Sequence, residues 1–277
     1  MRRLRFDYSM EIAYTEPVEE CHYTIKCIPP HTARQCMEKA QIVIRSCRGE
    51  HTMTEEIFPV EEADGPCKGT DSFGNRFVYG KVSSVHDRFL FRATGLVTVG
   101  SADSETMDRE GILPVYRHPY GLNLPGEGLK AYFASLRLSE EMSDYEKSVE
   151  LMHRLYRDFS YGKDVTDVTT TAEEAWQLGK GVCQDYAHIL IALCHMAGIP
   201  ARYVAGMLVG EGYSHAWVEV LCQGRWYALD PTNDMLVTDA HIKLGVGRHA
   251  ADCMINRGVI CGGGSQRQTV NVIVTPV

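Results

Sequence analysis

The chain has 277 residues, with 28 Lys and Arg against 36 Asp and Glu, so its net charge is −8 with neutral histidines. Apolar residues make up 44% and charged residues 23%, which is typical of a globular protein with one large domain or two of ordinary size. The acidic excess argues against nucleic-acid binding, which needs clustered lysines and arginines. No run of about 18 uncharged apolar residues occurs, so no membrane-spanning helix is expected.

The chain begins MRRLRFDYSM, in which apolar and polar side chains alternate after a basic start. This pattern predicts a strand, not a signal peptide, so export is not expected. The ten cysteines are thinly spread, without C-x-x-C spacing or a zinc-finger pattern of cysteines and histidines. We therefore expect a cytoplasmic protein with reduced thiols, no structural metal and no cofactor.

The first hundred residues have the composition of β structure. Short runs of β-branched or aromatic residues, separated by turn residues, predict strands near residues 3–14, 21–28, 40–48, 76–82 and 88–99. A weak helical spacing occurs near residues 33–40. We predict a β-sandwich-like domain over residues 1–100, followed by a connection over residues 101–126.

Helical patterns appear after residue 126. A short helix is expected over residues 127–138, and Ser143 and Thr171 each begin a capping box with a glutamate three residues later. Gly179 is expected to end the helix that starts after Thr171.

A further helix is predicted from Cys183 to Met196, before Gly198 and Pro200. Strands are expected near residues 201–209, 214–221, 225–230 and 269–275. Residues 127–277 therefore predict a second unit with helices and an antiparallel sheet, which makes the fold class α+β.

Cys183 directly follows Gly181 and Val182, at the predicted start of a helix. Unpaired N–H groups at a helix N-terminus favour negative charge, which suits a nucleophilic thiol. The same groups could hold a developing oxyanion. A single cysteine is nevertheless more often a small core residue.

His215 and Asp230 lie in two strands that are predicted to form a hairpin. A two-residue turn at Gln223-Gly224 places Trp217 opposite Asp230, with His215 diagonal to it on the same face, within about 7–8 Å. A three-residue turn would put the two side chains on opposite faces. Each residue alone has a structural interpretation, but with Cys183 they fit a nucleophile, a base and an orienting carboxylate.

Several segments resemble the bacterial transglutaminase-like family. They are residues 71–75 (DSFGN), 181–188 (GVCQDYAH), 197–202 (AGIPAR), 215–219 (HAWVE) and 226–232 (WYALDPT). The first resembles the aromatic-Gly-Asn turn of the family's N-terminal β module. The resemblance implies a core similar to papain-like cysteine proteases, in which a helix-borne cysteine packs on an antiparallel sheet, with catalytic residues Cys183, His215 and Asp230.

One position departs from the animal cross-linking transglutaminases. Those enzymes carry a tryptophan directly after the nucleophile, where this chain has Gln184, and no acidic loop here resembles their calcium sites. The resemblance therefore implies neither calcium dependence nor protein cross-linking.

Other residues near these segments have two interpretations each. Asp185 could complement the helix dipole. Tyr161 or Trp176 could supply a second oxyanion donor, or both could be core aromatics. Arg248 and His249 could contact substrate from a glycine-rich segment, or lie in a solvated loop.

The sequence thus predicts thiol-dependent acyl transfer on a peptide or carboxamide, with a peptide or protein as partner. Hydrolysis is favoured over cross-linking, because no signature of an amine site is evident. The alternative is a catalytically silent peptide- or protein-binding module of the same fold. A metal-dependent hydrolase is disfavoured, because no H-E-x-x-H or comparable cluster occurs.

Overall fold

The computed structural model describes residues 1–60, 68–100, 104–106 and 114–277. The strands before residue 107 are β1 (Arg2–Ile25), β2 (Gln35–Arg48), β3 (His51–Pro59), β4 (Lys68–Thr70), β5 (Arg76–Val82), β6 (His86–Val99) and β7 (Ser104–Thr106). The later strands are β8 (Ser160–Tyr161), β9 (Lys180–Gly181), β10 (Ala201–Leu208), β11 (Gly210–Gly212), β12 (His215–Cys222), β13 (Arg225–Asp230), β14 (Met235–Leu236), β15 (His241–Gly247), β16 (Asn256–Gly262) and β17 (Gln266–Pro276). The helices are α1 (Glu127–Leu136), α2 (Asp144–Asp158), α3 (Ala172–Leu178) and α4 (Cys183–Met196).

The long strand β1 organises a curled antiparallel sheet of nine strands. Its first half pairs with β6 and β17, and its second half pairs with β5 and β16. A register shift between Ala13 and Val18 separates the two halves. The ring of Tyr23, in the second half, lies 5.5 Å from the ring of Phe89 on β6, so the sheet closes over a single core.

The core of this sheet follows from the alternation that the sequence shows. The buried side chains of the first half of β1 are Leu4, Phe6, Tyr8, Met10 and Ile12. Val272 and Val274 of β17 are buried in the same core, as are Met207, Ile242 and Leu244 of the second sheet. The two sheets therefore share a packing interface.

The curled sheet takes strands from both ends of the chain. Strands β11, β16 and β17 come from the range that the sequence assigned to the second unit, although they pair with β1 or with each other. The boundaries at residues 1–100, 101–126 and 127–277 stay a prediction. Residues 101–103 and 107–113 of the predicted connection lie outside the described residues.

Several local predictions differ from the structure, in which β3 and β16 are strands that the sequence analysis did not predict. The weak helical spacing near residues 33–40 was misleading, because residues from Gln35 onward form β2 between β6 and β3. Strand β15 was not predicted, because Gly245 and Gly247 were assigned to a glycine-rich segment, although Ile242, Leu244 and Val246 alternate with polar residues or glycine. All seven of its residues are buried, because both faces of the strand are covered.

The second sheet has the order β14-β13-β12-β10-β15, with β7 paired to β13. Helix α4 packs on one face, against Ala216, Val218 and Val220 of β12. The capping boxes at Ser143 and Thr171 are confirmed, because each hydroxyl accepts the N–H of the glutamate three residues later. Gly179 ends α3 with a positive φ of 69°, as predicted.

Two side-chain amides from the N-terminal part join it to this second sheet. Gln35 bonds to the backbone of Lys243, and Asn75 bonds to the backbone of Val246, both in the edge strand β15. These amides satisfy backbone groups that an edge strand would otherwise leave unpaired.

Within the described ranges, no helix has both the length and the apolar character needed to cross a membrane. The nine cysteines in those ranges are free thiols, and Cys67 lies outside them.

Candidate active site

The hairpin of β12 and β13 has the register that the two-residue turn predicts. Cys222 pairs with Arg225, and Gln223 and Gly224 have φ values of 51° and 74°, which is the geometry of a type I′ turn. His215 and Asp230 consequently lie on one face, and His215 Nε2 is 2.7 Å from Asp230 Oδ2. The geometric prediction for this pair is confirmed.

Cys183 is the first residue of α4, and the backbone before it is held by Asp185. One carboxylate oxygen of Asp185 accepts the N–H of Val182 and the hydroxyl of Thr166, both at 2.7 Å. A Cβ at Gly181 would lie 2.4 Å from that oxygen, so this position needs glycine. Burial raises the pKa of the Asp185 carboxyl, and the two hydrogen bonds oppose the rise. Asp185 therefore positions the turn that carries the thiol.

His215 lies between the thiol of Cys183 and the carboxylate of Asp230. Burial lowers the pKa of the imidazole, but hydrogen bonds to Asp230 and Cys183 outweigh it and raise the pKa to about 10. Because Nε2 faces Asp230, Nδ1 is the ring nitrogen left for the sulfur. The site thus favours a charged imidazole between two groups that can carry negative charge.

Asp230 is fully buried and accepts five hydrogen bonds. Its Oδ2 accepts from the side chains of His215, His241 and Asn233. Its Oδ1 accepts from the backbone N–H groups of Thr232 and Asn233. Burial raises the pKa of this carboxyl, but the hydrogen bonds prevail and hold it well below the usual value, so the buried group stays charged.

His241, at the start of β15, belongs to this hydrogen-bond network and was missed by sequence reasoning. The N–H of Thr238 donates to its Nδ1 at 3.3 Å, so its Nε2 carries the proton that is donated to Asp230 at 3.2 Å. No motif marked this histidine, because its strand was not predicted. His215, Asp230 and His241 each have one possible metal-ligand atom, and these three atoms lie within 4.8 Å of one another. Hydrogen bonds within the network already engage all three atoms.

Trp217 covers this network on the side away from α4. Its side chain is buried, and its ring centroid lies 6.2 Å from the ring of His215 and 5.5 Å from that of His241. The indole thereby keeps water from the hydrogen bond between His215 and Asp230.

Cys183 and His215 open into a groove of about 1330 Å³. The large apolar or aromatic side chains that are both exposed and part of its lining are Tyr120, Leu124, Tyr161, Val168, Tyr213 and Met254. Such a rim suits an extended chain with apolar or aromatic side chains more than a small charged molecule.

The structure separates the two possible oxyanion donors. Tyr161 lines the groove. Burial is the main cause that raises the pKa of its hydroxyl, and negative charge at Cys183 adds to the rise. Trp176 instead packs 4.2 Å from the ring of Tyr132 and takes no part in the groove lining. Of the two, Tyr161 is the one that lines the groove with Cys183, and Trp176 is a core aromatic.

The segment around Arg248 is packed, which corrects the interpretation as a solvated loop. His249 is buried, lines the groove, and stacks on Tyr120 with ring centroids 5.7 Å apart. Arg248 is held by Asp252 and does not line the groove. His188 is buried beneath this segment, where burial lowers the pKa of its ring to about 3.

This arrangement, with a thiol at a helix start facing a histidine on an antiparallel sheet, defines the papain-like class of cysteine-dependent folds. Residues 133–231 match the family model of the transglutaminase-like superfamily. The match covers this core and less than half of the chain.

Known proteins resemble the chain beyond this core. A solved structure from Cytophaga hutchinsonii, described as a candidate cysteine protease, is 19% identical with a TM-score of 0.77, covering all of this chain and 91% of that one. An uncharacterized protein of Mycobacterium leprae is 38% identical over 125 residues, 42% of this chain and 44% of the relative. One from Mycobacterium bovis is 27% identical over 241 residues, 76% of each chain. The chain thus spans less than half of the Mycobacterium leprae relative in that match.

Proposed function

We propose that this protein is a thiol-dependent acyl-transfer enzyme that hydrolyses a peptide or carboxamide bond. The observation that carries the proposal is the position of His215, which bonds to the buried carboxylate of Asp230 at 2.7 Å and lines the same groove as Cys183. A thiol, a base and an orienting carboxylate in this order are the parts that nucleophilic acyl transfer needs.

In the first half-reaction, His215 Nδ1 takes the proton of the Cys183 thiol, and the sulfur attacks the carbonyl carbon of the substrate. As the carbon–nitrogen bond breaks, the imidazolium returns the proton to the leaving amine. A thioester on Cys183 results. Asp230 keeps the ring oriented and stabilises its charged form throughout.

The oxyanion of the tetrahedral intermediate needs donors that are already in place. The backbone N–H of Cys183, at the start of α4, supplies one such donor. We assign the second to the hydroxyl of Tyr161, because this residue lines the same groove as Cys183.

In the second half-reaction, water attacks the thioester carbon while His215 takes its proton, which releases a carboxylic acid and the thiol. We favour water over an amine because Gln184 stands where cross-linking enzymes carry a tryptophan. Its side chain donates to the carbonyl of Asp167 at 3.2 Å. The free thiols of the described cysteines support a location in a reducing compartment such as the cytoplasm.

The test is to incubate the protein with a peptide library, with and without a labelled primary amine, and to follow products by mass. We expect cleavage or deamidation by the wild type, none by Cys183→Ala, and wild-type rates for Cys36→Ala, an exposed cysteine outside the groove. Turnover by Cys183→Ala would contradict the proposal. Predominant amine incorporation would make the enzyme a transglutaminase, and binding without turnover would favour the silent peptide-binding module.

A further inference from the structure

One side of β17 is open next to the groove. On its first side β17 pairs with β1 without interruption, from Leu4 with Pro276 to Tyr14 with Gln266. On its second side it pairs with β11 over Val272–Val274 alone. Within the part of the chain that the structure describes, residues 266–270 have no strand on this second side.

The hydrogen bonds at the two ends of β17 show which backbone groups face the open side. Thr15 N–H donates to Ser265 O, and Val277 N–H donates to Arg3 O, both at 2.9 Å. In an antiparallel ladder without a register shift, every second residue bonds to the same neighbour, so the odd-numbered residues of β17 face β1. The backbone groups that face the open side belong to Gln266, Gln268 and Val270.

The same three residues line the groove that contains Cys183 and His215. Strand β11, which occupies the adjoining stretch of this edge, ends at Gly212 and leads through Tyr213 and Ser214 to His215. A strand that continued the line of β11 along β17 would therefore start beside the catalytic histidine.

We propose that the open edge of β17 binds the backbone of an extended peptide substrate as an added β-strand and guides it to Cys183. This inference rests on the proposed function, because it takes the substrate to be a peptide. The edge offers three N–H donors and three carbonyl acceptors, and main-chain pairing of this kind tolerates many side-chain sequences.

Within the part of the chain that the structure describes, no paired strand and no proline protect residues 266–270 of this edge against strand addition. Exposed edges commonly carry prolines, inward-pointing charges or a covering segment. Here the residues whose backbone groups face outward are two glutamines and a valine. The N-terminal and C-terminal strands thereby acquire a role in substrate binding, as one wall of the active-site groove.

The test compares alkylation rates at Cys183 for iodoacetamide and for tetraalanine reagents that carry the same haloacetamide at the N-terminus or the C-terminus. We expect at least one peptide reagent to label Cys183 about 3- to 10-fold faster than iodoacetamide, because a main-chain hydrogen bond contributes about that factor. The same peptide with N-methylated amides should lose the gain on the wild-type protein, since it cannot donate. If neither peptide is faster, or if N-methylation changes nothing, the inference is wrong.

Two variants at one position locate the binding edge. Gln268→Pro removes an outward N–H while leaving the bonds to β1, and proline is tolerated at such edge positions. Gln268→Ala removes the side chain but keeps the N–H. For each variant, the rate with the peptide reagent is divided by the rate with iodoacetamide. We expect Gln268→Pro to lose the rate advantage of the peptide reagent and Gln268→Ala to keep it. Equal loss in both variants would assign binding to the side chain and overturn the inference.

The iodoacetamide arm separates this inference from the proposed function. If Cys183 of the wild type reacts no faster than the other cysteines near pH 6, the proposed function fails. If Cys183 is selectively reactive but the peptide reagents show no gain, the binding edge fails and the proposed function stands.

Discussion

The amide of Asn75 bonds to Val246 as a neighbouring strand would. Its Nδ2 donates to Val246 O and its Oδ1 accepts from Val246 N–H, each at 2.7 Å. Asp71 fixes the amide by accepting from Asn75 Nδ2 at 3.0 Å, and Lys26 anchors Asp71 at 2.6 Å. The turn that resembles the family's aromatic-Gly-Asn turn thus attaches the N-terminal sheet to the edge of β15.

Asn75→Ala should lower the free energy of unfolding by about 1–3 kcal/mol. The substitution leaves the buried N–H and C=O of Val246 without partners, and an unsatisfied buried polar group costs about that much. Thermal or urea unfolding measures the change. Asn271→Ala, at an exposed position, is the control, and equal stabilities of the two variants would contradict the structural role of Asn75.

His241 is a positioning residue, since it touches Asp230 and not the substrate groove. His241→Phe should lower kcat about 10-fold with little change in KM, because a hydrogen bond to a charged group contributes about 1.5–3 kcal/mol. That bond lowers the pKa of Asp230, so its loss raises this pKa and moves the acid limb of the pH–rate profile to higher pH.

His241→Gln serves as the conservative variant, because its amide N–H can still donate to Asp230. It should restore most of kcat and return the acid limb toward the wild-type position. A pH profile unchanged in His241→Phe would assign the histidine a packing role only.

The arrangement of the site could be predicted where local chemistry determines it. The two residues with positive φ at Gln223-Gly224 set the hairpin register, and the register alone places His215 beside Asp230. Neither His241 nor the β17 edge could be predicted in this way. Strand β15 carries two glycines and has a register shift against β10, and β17 pairs with residues at the opposite end of the chain. Such positions depend on long-range packing, which local sequence patterns do not encode.

The raised pKa of His215, about 10, predicts a pH dependence of stability. A group whose folded pKa exceeds its unfolded value of about 6.5 stabilises the protein fully below pH ~6.5 and loses this effect as the pH rises through the folded value. The melting temperature of the wild type should exceed that of His215→Asn most at about pH 6.5 and below, and the difference should shrink as the pH rises toward 10. Titrating groups that do not interact with His215 cancel in this difference, so a constant difference would contradict the assignment.

Asp230→Asn should slow the reaction about 10- to 10³-fold. The exchange removes the charge that supports the imidazolium, which in the serine-protease example costs ~10⁴ in rate. The loss should be smaller here, because a thiolate–imidazolium pair needs less support than a neutral serine. The measurement is kcat/KM at matched pH. An unchanged rate would show that Asp230 merely ends its strand.

The same exchange should also destabilise the fold, because Asp230 is buried and not at the edge of an open groove. Hydrogen-bond donors surround both carboxylate oxygens, so an asparagine in either orientation points its NH₂ group at other donors. We expect a loss of about 1–3 kcal/mol in thermal or urea unfolding. Asp234→Asn is the matched control, because Asp234 pairs only at the surface with His153, and such exposed pairs contribute about 0–1 kcal/mol. If Asp230→Asn and Asp234→Asn have the same free energy of unfolding, the five hydrogen bonds to Asp230 orient the histidine and do not stabilise the fold.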